Sequence, residues 1–449
     1  MFGTSNAFRL ILSCLVTLAG ALTSWSASAL PSMARQTGSP CSQCHTVFPE
    51  LTPYGRQFKL GAFSATSSNW AQKEALSRIP LSAAVQLSRT KTRDANAAMG
   101  DGDENPFEND GRAIVQTVAG YYGGRIANNM GALVQGNYEG AERRWAIEMA
   151  DIRYARDTLV GTRELTYGVT LNNTPTVTDI YNSTPSWRFP HTESLSPVMP
   201  ARTLVDMSLA SQVAGVSTYA MWDSSIYAEV GLYGAANKGA LRIFSAGVPK
   251  ETILSGGAPY WRLAYQNELD NLSYSVGTYG MSARVRVDNN DSGAGSDRLT
   301  DYGVDGNLQW IEGRHAFSLR ANWIGERQSR SASQAAGRSS GNELQLRTLN
   351  LDAHYYWQRK YGGGLGLFSV QGTDDALRYN TGDPINGSSL GSPKASGYLV
   401  EVNYLPIENV KAALRYTGYT KFGGTRGEYS PGREAKSNDT LYLLVWALF

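Results

Sequence analysis

The sequence predicts an all-β protein: a sixteen-stranded antiparallel transmembrane β-barrel with a small N-terminal domain plugging its lumen. Three observations carry that expectation. Stretches rich in Tyr, Trp, Val and Leu recur from residue 78 onward at the length a tilted strand needs to cross a bilayer. Short turns and longer loops alternate between them, and a soluble sandwich has no reason to keep such parity. The chain contains 47 Gly and 25 Tyr, and after its first segment it holds no apolar run long enough for a membrane helix, which excludes a helical membrane protein.

Taken in order, residues 1–29 read as a secretory leader. Arg9 precedes an apolar run from Leu10 to Ala21, and Ala27-Ser28-Ala29 supplies the small-residue cleavage site. The protein is therefore expected to be exported. Residues 30–77 form a short second unit, and residues 78–449 form the barrel. Its strands are expected near 78–90, 112–125, 129–140, 145–156, 164–172, 211–222, 225–235, 258–268, 272–284, 298–310, 314–327, 343–358, 361–372, 395–405, 409–422 and 437–449. Short connections such as Asp223-Ser224, Asp270-Asn271, Glu312-Gly313 and Glu408 fall at every other position, which places both termini of the barrel in the periplasm.

Alternation within strands supports this reading. Leu349, Leu351, Ala353, Tyr355 and Trp357 share one face, and Thr348, Asn350, Asp352, His354 and Tyr356 share the other. Apolar side chains outward and polar ones inward suit lipid outside and a wet lumen inside. The closing segment, Thr440 to Phe449, ends on an aromatic residue, as outer-membrane barrels commonly do. A net charge of +2 argues against nucleic acid as a partner and leaves outer-membrane lipid as the expected surroundings.

The chemistry is concentrated at Cys41-Ser42-Gln43-Cys44-His45. Of three cysteines, Cys14 falls in the leader, so Cys41 and Cys44 are the two that remain. A C-x-x-C-H sequence is the attachment site of c-type haem: two thiols bond the vinyl groups and the histidine ligates the iron. A redox disulfide would need a βαβ context, and zinc would need a second ligand pair; the sequence offers neither. One covalently bound haem is the expected cofactor, held by Cys41, Cys44 and His45. About fifty residues are too few to shield a haem alone, so this unit is expected to enter the lumen from the periplasmic side.

Pro31 to Gly38, the C-x-x-C-H, and Thr46-Val-Phe-Pro-Glu-Leu-Thr-Pro-Tyr-Gly-Arg-Gln-Phe-Lys-Leu60 together resemble the fused outer-membrane monohaem cytochrome c–porin family of iron-oxidising bacteria. Thr184 to Pro190 and Gln212 to Trp222 resemble barrel segments of the same family. The resemblance implies uptake of electrons from extracellular Fe(II) or another reductant, passed to a periplasmic c-type cytochrome or cupredoxin. It would make the chain similar to an iron(II):cytochrome c oxidoreductase. At Ser39 the chain departs from the family, which carries an apolar residue there, often Met.

A second axial ligand is expected from His354, which faces the lumen toward the periplasmic end of its strand, or from Met33, close to the attachment site. His191 and Met199 lie in the long loop from Asn173 to Ala210, a candidate for folding inward. His315 falls on the lipid-facing side. Acidic residues cluster in loops at Asp101, Asp103, Glu104, Glu108 and Asp110, at Asp288, Asp291 and Asp297, and at Asp374 and Asp375; solvated surface charge is the ordinary reading, and hard-cation contact the alternative. No residue is assigned a catalytic role. Two other functions fit the same parts: a diffusion porin with a haem plug or redox sensor, and export of electrons to an external acceptor.

Overall fold

A computed structural model of the chain describes residues 30–95, 107, 109–140, 143–194, 197–236, 253–288, 293, 295–383 and 385–449. The leader read at residues 1–29, with Cys14, lies outside the described residues, as do Asp101, Asp103, Glu104, Glu108 and Asp291.

The strands are β1 Leu81–Thr92, β2 Ala113–Ala127, β3 Met130–Glu139, β4 Arg144–Val160, β5 Arg163–Asn172, β6 Val213–Trp222, β7 Ile226–Ala235, β8 Ala258–Leu269, β9 Leu272–Arg286, β10 Ser296–Glu312, β11 His315–Ser329, β12 Glu343–Trp357, β13 Tyr361–Gly372, β14 Ala395–Ile407, β15 Val410–Lys421, β16 Glu428–Ser430, β17 Arg433–Glu434 and β18 Thr440–Leu448. Every neighbour in sequence pairs antiparallel from β1 to β15; β18 then pairs with β15 and closes on β1, giving a sixteen-stranded barrel. The small β16–β17 hairpin stands apart in the last loop. Closure leaves no unpaired edge, which is what a sheet must achieve to stand in lipid.

The alternation read from sequence is realised. Leu349 and Trp357 are 44% and 50% exposed on the outer face, whereas their inward neighbours Thr348 and Tyr356 are each 2% exposed. Trp261, Leu263 and Tyr265 likewise face out, with Arg262, Ala264 and Gln266 buried inside. A closed barrel with an apolar exterior is the outer-membrane type. No helix among the described residues is long and apolar enough to cross a membrane.

The lumen differs from the water-filled channel that alternation alone suggests. Residues 173–185 of the long loop are buried, because Asp179 organises them from within. Its carboxylate accepts the backbone N–H groups of Tyr181, Ser183 and Thr184 at 2.9, 3.1 and 3.1 Å. Arg262 on β8 lies 3.3 Å from the same carboxylate and pairs with Asp305 at 2.8 Å. Further along, Leu204 N–H donates to Glu326 and Val205 N–H to Asp301, at 2.7 and 2.8 Å. Loop backbone that would be unsatisfied inside a barrel is thus paired with wall carboxylates.

Residues 30–63 form three short helices, α1 Pro31–Thr37, α2 Cys41–Cys44 and α3 Pro53–Leu60. Pro31 and Pro53 each occupy the first turn, where a missing N–H costs nothing. Gly38 ends α1 in the left-handed region, φ 71°, and its N–H caps Ala34. The Thr52 hydroxyl accepts from Gly55 N–H at 3.2 Å and starts α3. Side chains of this segment bond to inward residues around the barrel: Arg56 to Gln309 on β10 at 3.1 Å, and Glu50 to Ser318 and Arg320 on β11 at 3.0 and 3.1 Å. The Leu60 carbonyl accepts from Tyr219 on β6 at 2.7 Å. Leu30, Phe58 and Phe63 pack with Tyr121, Trp446 and Leu448, each large apolar side chain contributing about 1.5–3 kcal/mol by leaving water.

Candidate functional site: a cavity around Cys41, Cys44 and His45

The C-x-x-C-H is one helical turn followed by a reversal. His45 N–H donates to the Cys41 carbonyl at 2.9 Å, and residues 45–51 fold back so that Thr52 N–H reaches the Cys44 carbonyl at 2.9 Å. The Thr52 hydroxyl also donates to the Gln43 carbonyl at 2.5 Å, and Arg359 in the turn between β12 and β13 donates to the Ser42 carbonyl at 2.8 Å. α3 therefore fixes the motif from one side and the barrel rim from another. Gly55 is required for this fit: a Cβ there would lie 2.2 Å from the Cys44 carbonyl oxygen.

Cys41 and Cys44 are not joined to each other. Burial pushes the Cys44 thiol up to about 11. His45 is pulled down to about 4, chiefly by burial, with the backbone of Glu50 and Pro49 and the charges of Glu50 and Glu408 opposing in part. Its Nδ1 is buried without a hydrogen-bond partner. Both sulfurs and the imidazole line one cavity of about 210 Å³, walled by Phe48, Phe58, Trp187 and Trp446. Phe48 packs edge-on to Trp446 with ring centres 4.9 Å apart, and to His45 at 5.6 Å.

Lys59 borders the cavity as well. It donates to the carbonyls of Val177 and Asp179 at 2.8 and 2.6 Å and lies 4.0 Å over the Trp187 ring. Burial lowers it to about 7; nearby Arg153 adds to that, against the acidic pull of Asp151, Asp179 and Glu229.

The residues expected at the second axial position separate here. Met33 lines the cavity, but its methyl end rests on the wall, 3.3 Å from where a Cβ at Gly123 would stand. His354 faces the lumen but lies outside this cavity. Its ring lies against β13, so that a Cβ at Gly364 would come within 2.8 Å, and Phe189 covers it at 4.4 Å between ring centres. Its Nε2 is 3.3 Å from Asp352. His191, from the inward loop, does line the cavity, and so does Ser39. Met199 packs with Phe189 and Phe368 and borders a second cavity, of about 80 Å³. His315 stands at the start of β11 and bonds Tyr355 at 2.8 Å.

The second cavity is walled by Arg188, Phe189, Glu193, Asp352, Arg415 and Tyr419 among others. Strand direction places it toward the long-loop end of the barrel, and the 188–193 stretch lines both cavities, His191 the first and Arg188, Phe189, Pro190 and Glu193 the second. Of the acidic loop residues, Asp375 caps a short helix at Leu377 and Arg378 and accepts from Ser339, and Asp297 is buried against Arg330. Asp110 and Asp374 pair with Lys91 and Lys394, and Asp288 with Arg338. The described carboxylates are thus engaged in structure, and no group of three or more metal-type side chains occurs among the described residues. Sequence reading missed Glu50, Arg56, Lys59 and Asp179; charged residues flanking a haem-attachment motif, and one Asp in a long inward loop, were the available signals.

No family model matches the chain, and no curated protein matches it. Solved structures do. The outer membrane channel DcaP of Acinetobacter baumannii is 11% identical with a TM-score of 0.47, covering 82% of this chain and 96% of that one. Salmonella typhi OmpF, solved with daunomycin, is 13% identical with a TM-score of 0.46, covering 82% and 97%. The anion-selective porin of Comamonas acidovorans is 12% identical with a TM-score of 0.43, covering 82% and 98%.

Proposed function

We propose that this barrel carries one c-type haem in the cavity at Cys41, Cys44 and His45, and that it passes single electrons across the outer membrane. The observation that carries the reading is the meeting of two thiols and a buried imidazole in one largely apolar cavity. Cys41 and Cys44 would hold the group through thioether bonds and His45 through its iron. When bound, the haem supplies a one-electron iron couple whose potential follows its ligands and burial.

The chain's own residues keep water out and hold the motif still. Phe48, Phe58, Trp187 and Trp446 wall the cavity with rings. Glu50, Arg56 and Lys59 tie the segment to wall and loop, so the motif keeps its place relative to both faces of the membrane. Residues of the 188–193 stretch line both this cavity, through His191, and the one on the long-loop side, through Arg188, Phe189, Pro190 and Glu193. An extracellular donor would approach through that outer cavity, and a periplasmic cytochrome or cupredoxin at the rim by α3. Fe(II) as donor rests on the resemblance of residues 31–60 to the cytochrome–porin family.

The test is rapid mixing of the purified full chain with Fe(II) while the haem absorbance is followed. Reduction is expected, and a haem that Fe(II) leaves oxidised across the accessible pH range would sink the iron assignment. The rival reading, a diffusion porin, is separated by Cys41→Ala with Cys44→Ala. A porin would keep its conductance in lipid bilayers, whereas an electron conduit loses all electron transfer.

A further inference from the structure

We infer that His191, which lines the same cavity as His45, is the second axial ligand of the proposed haem, and that neither Met33 nor His354 fills that place. The inference rests on the haem proposed above.

Among the described residues that line the cavity, three carry buried side-chain nitrogens without a hydrogen-bond partner: His45 at Nδ1, His191 at Nε2 and Trp446 at Nε1. The indole N–H only donates, so the two imidazoles are the ones that can ligate a metal. A buried polar atom left unpaired costs about 1–3 kcal/mol, so the fold tolerates it only where something else satisfies it. Metal coordination satisfies an imidazole nitrogen of this kind.

His191 is also held in place before any ligand arrives. On its N-terminal side, Phe189 packs under the Arg415 guanidinium at 5.1 Å and against His354 at 4.4 Å. On its C-terminal side, the Thr192 carbonyl accepts from Arg415 at 2.6 Å, the Thr192 hydroxyl accepts from Gln86 at 3.3 Å, and the Glu193 carbonyl accepts from Gln116 at 3.0 Å. Strands β1, β2 and β15 therefore grip the two residues after His191, and an axial ligand needs that kind of outer support.

The competitors are set apart by place: His354 also carries unpaired ring nitrogens but lies outside the cavity lining, and Met33 lines the cavity with its end on the wall. Met33 presses its methyl end on the wall at Gly123, and His354 is enclosed between the Gly364 backbone and Phe189.

The experiment uses the full chain, made with haem-attachment machinery and purified in detergent. Covalent haem is read on denaturing gels by peroxidase stain, and axial ligation by ferric electron paramagnetic resonance and near-infrared magnetic circular dichroism. The wild type should show a low-spin, two-imidazole signature. His191→Ala should lose it, turn high-spin and bind added imidazole, while His354→Ala keeps it. His191→Met should replace it with a thioether signature and a higher potential. A thioether or high-spin signature in the wild type overturns the inference even if the variants fail to fold, as does a low-spin two-imidazole signature that survives His191→Ala. In each of those outcomes covalent haem is present and the proposed function stands. A chain without covalent haem would overturn both.

Discussion

Arg320 on β11 joins the barrel wall to the N-terminal segment of residues 30–63: its Nη2 donates to Glu50 at 3.1 Å while the same guanidinium holds Asp352 at 2.6 Å. All three side chains are buried. Removing one member of a buried ion pair typically costs about 3–5 kcal/mol, since the partner stays behind uncompensated. Here Asp352 still compensates Arg320, so Glu50→Ala should weaken docking of residues 30–63 by about 3 kcal/mol, the low end of that range. Limited proteolysis in the connection at residues 64–80 reads it: cutting should speed up in Glu50→Ala and much less in Glu50→Gln. Equal rates in wild type and Glu50→Ala would show that the apolar contacts alone seat the segment.

Gly55 makes a sharper case, because two effects of one methyl group oppose each other. In a free helix Gly→Ala gains about 1 kcal/mol. Here the new Cβ would stand 2.2 Å from the Cys44 carbonyl oxygen and 3.0 Å from its carbon, and backbone cannot rotate away as a side chain can. Overpacking of that kind costs about 1–3 kcal/mol or more, so the clash wins. Gly55→Ala is expected to push α3 off the C-x-x-C-H turn and, on the proposed function, to lower the yield of covalent haem several-fold. Gly120→Ala, with open space around its Cβ, should leave the yield unchanged. The haem-to-protein ratio of purified samples decides it.

The barrel was legible because its signals are local. Period-two alternation and turn parity need no knowledge of the rest of the chain, and the expected spans match the observed strands to within a few residues. Two of the shifts have local causes too: residues 75–78 and 435–438 form helical turns, so β1 begins at Leu81 and β18 at Thr440. Cys41 to His45 was legible for the same reason. For His191 the sequence offered only a place in a loop that could fold inward; that it lines the cavity depends on Asp179, Arg262 and Arg415, which are far apart in sequence and meet in the folded lumen. Strand parity told correctly that His354 faces inward. It carried no information about Phe189, which closes over it.

Lys59 gives the docked segment a pH dependence whose sign follows from its surroundings. Burial first, then Arg153, lowers its folded value to about 7 from an ordinary 10.5. Between those two pH values the unfolded segment binds a proton that the docked one does not, so docking strengthens as pH rises. The contribution is complete above 10.5, falls as pH falls, and is lost below about 7. One proton limits the slope to about 1.4 kcal/mol per pH unit. Hydrogen exchange of the α3 amides, corrected for intrinsic rates, should therefore show protection that is flat below pH 7 and grows toward pH 10. Lys59→Met leaves the Asp179 carbonyl unpaired and the Val177 carbonyl with Trp187 alone, so its protection should be lower at every pH, but its profile should be flat. A flat wild-type profile would mean that Trp187 and the Asp179 carboxylate hold the ammonium charged inside the barrel, and that its burial costs less than its surroundings suggest.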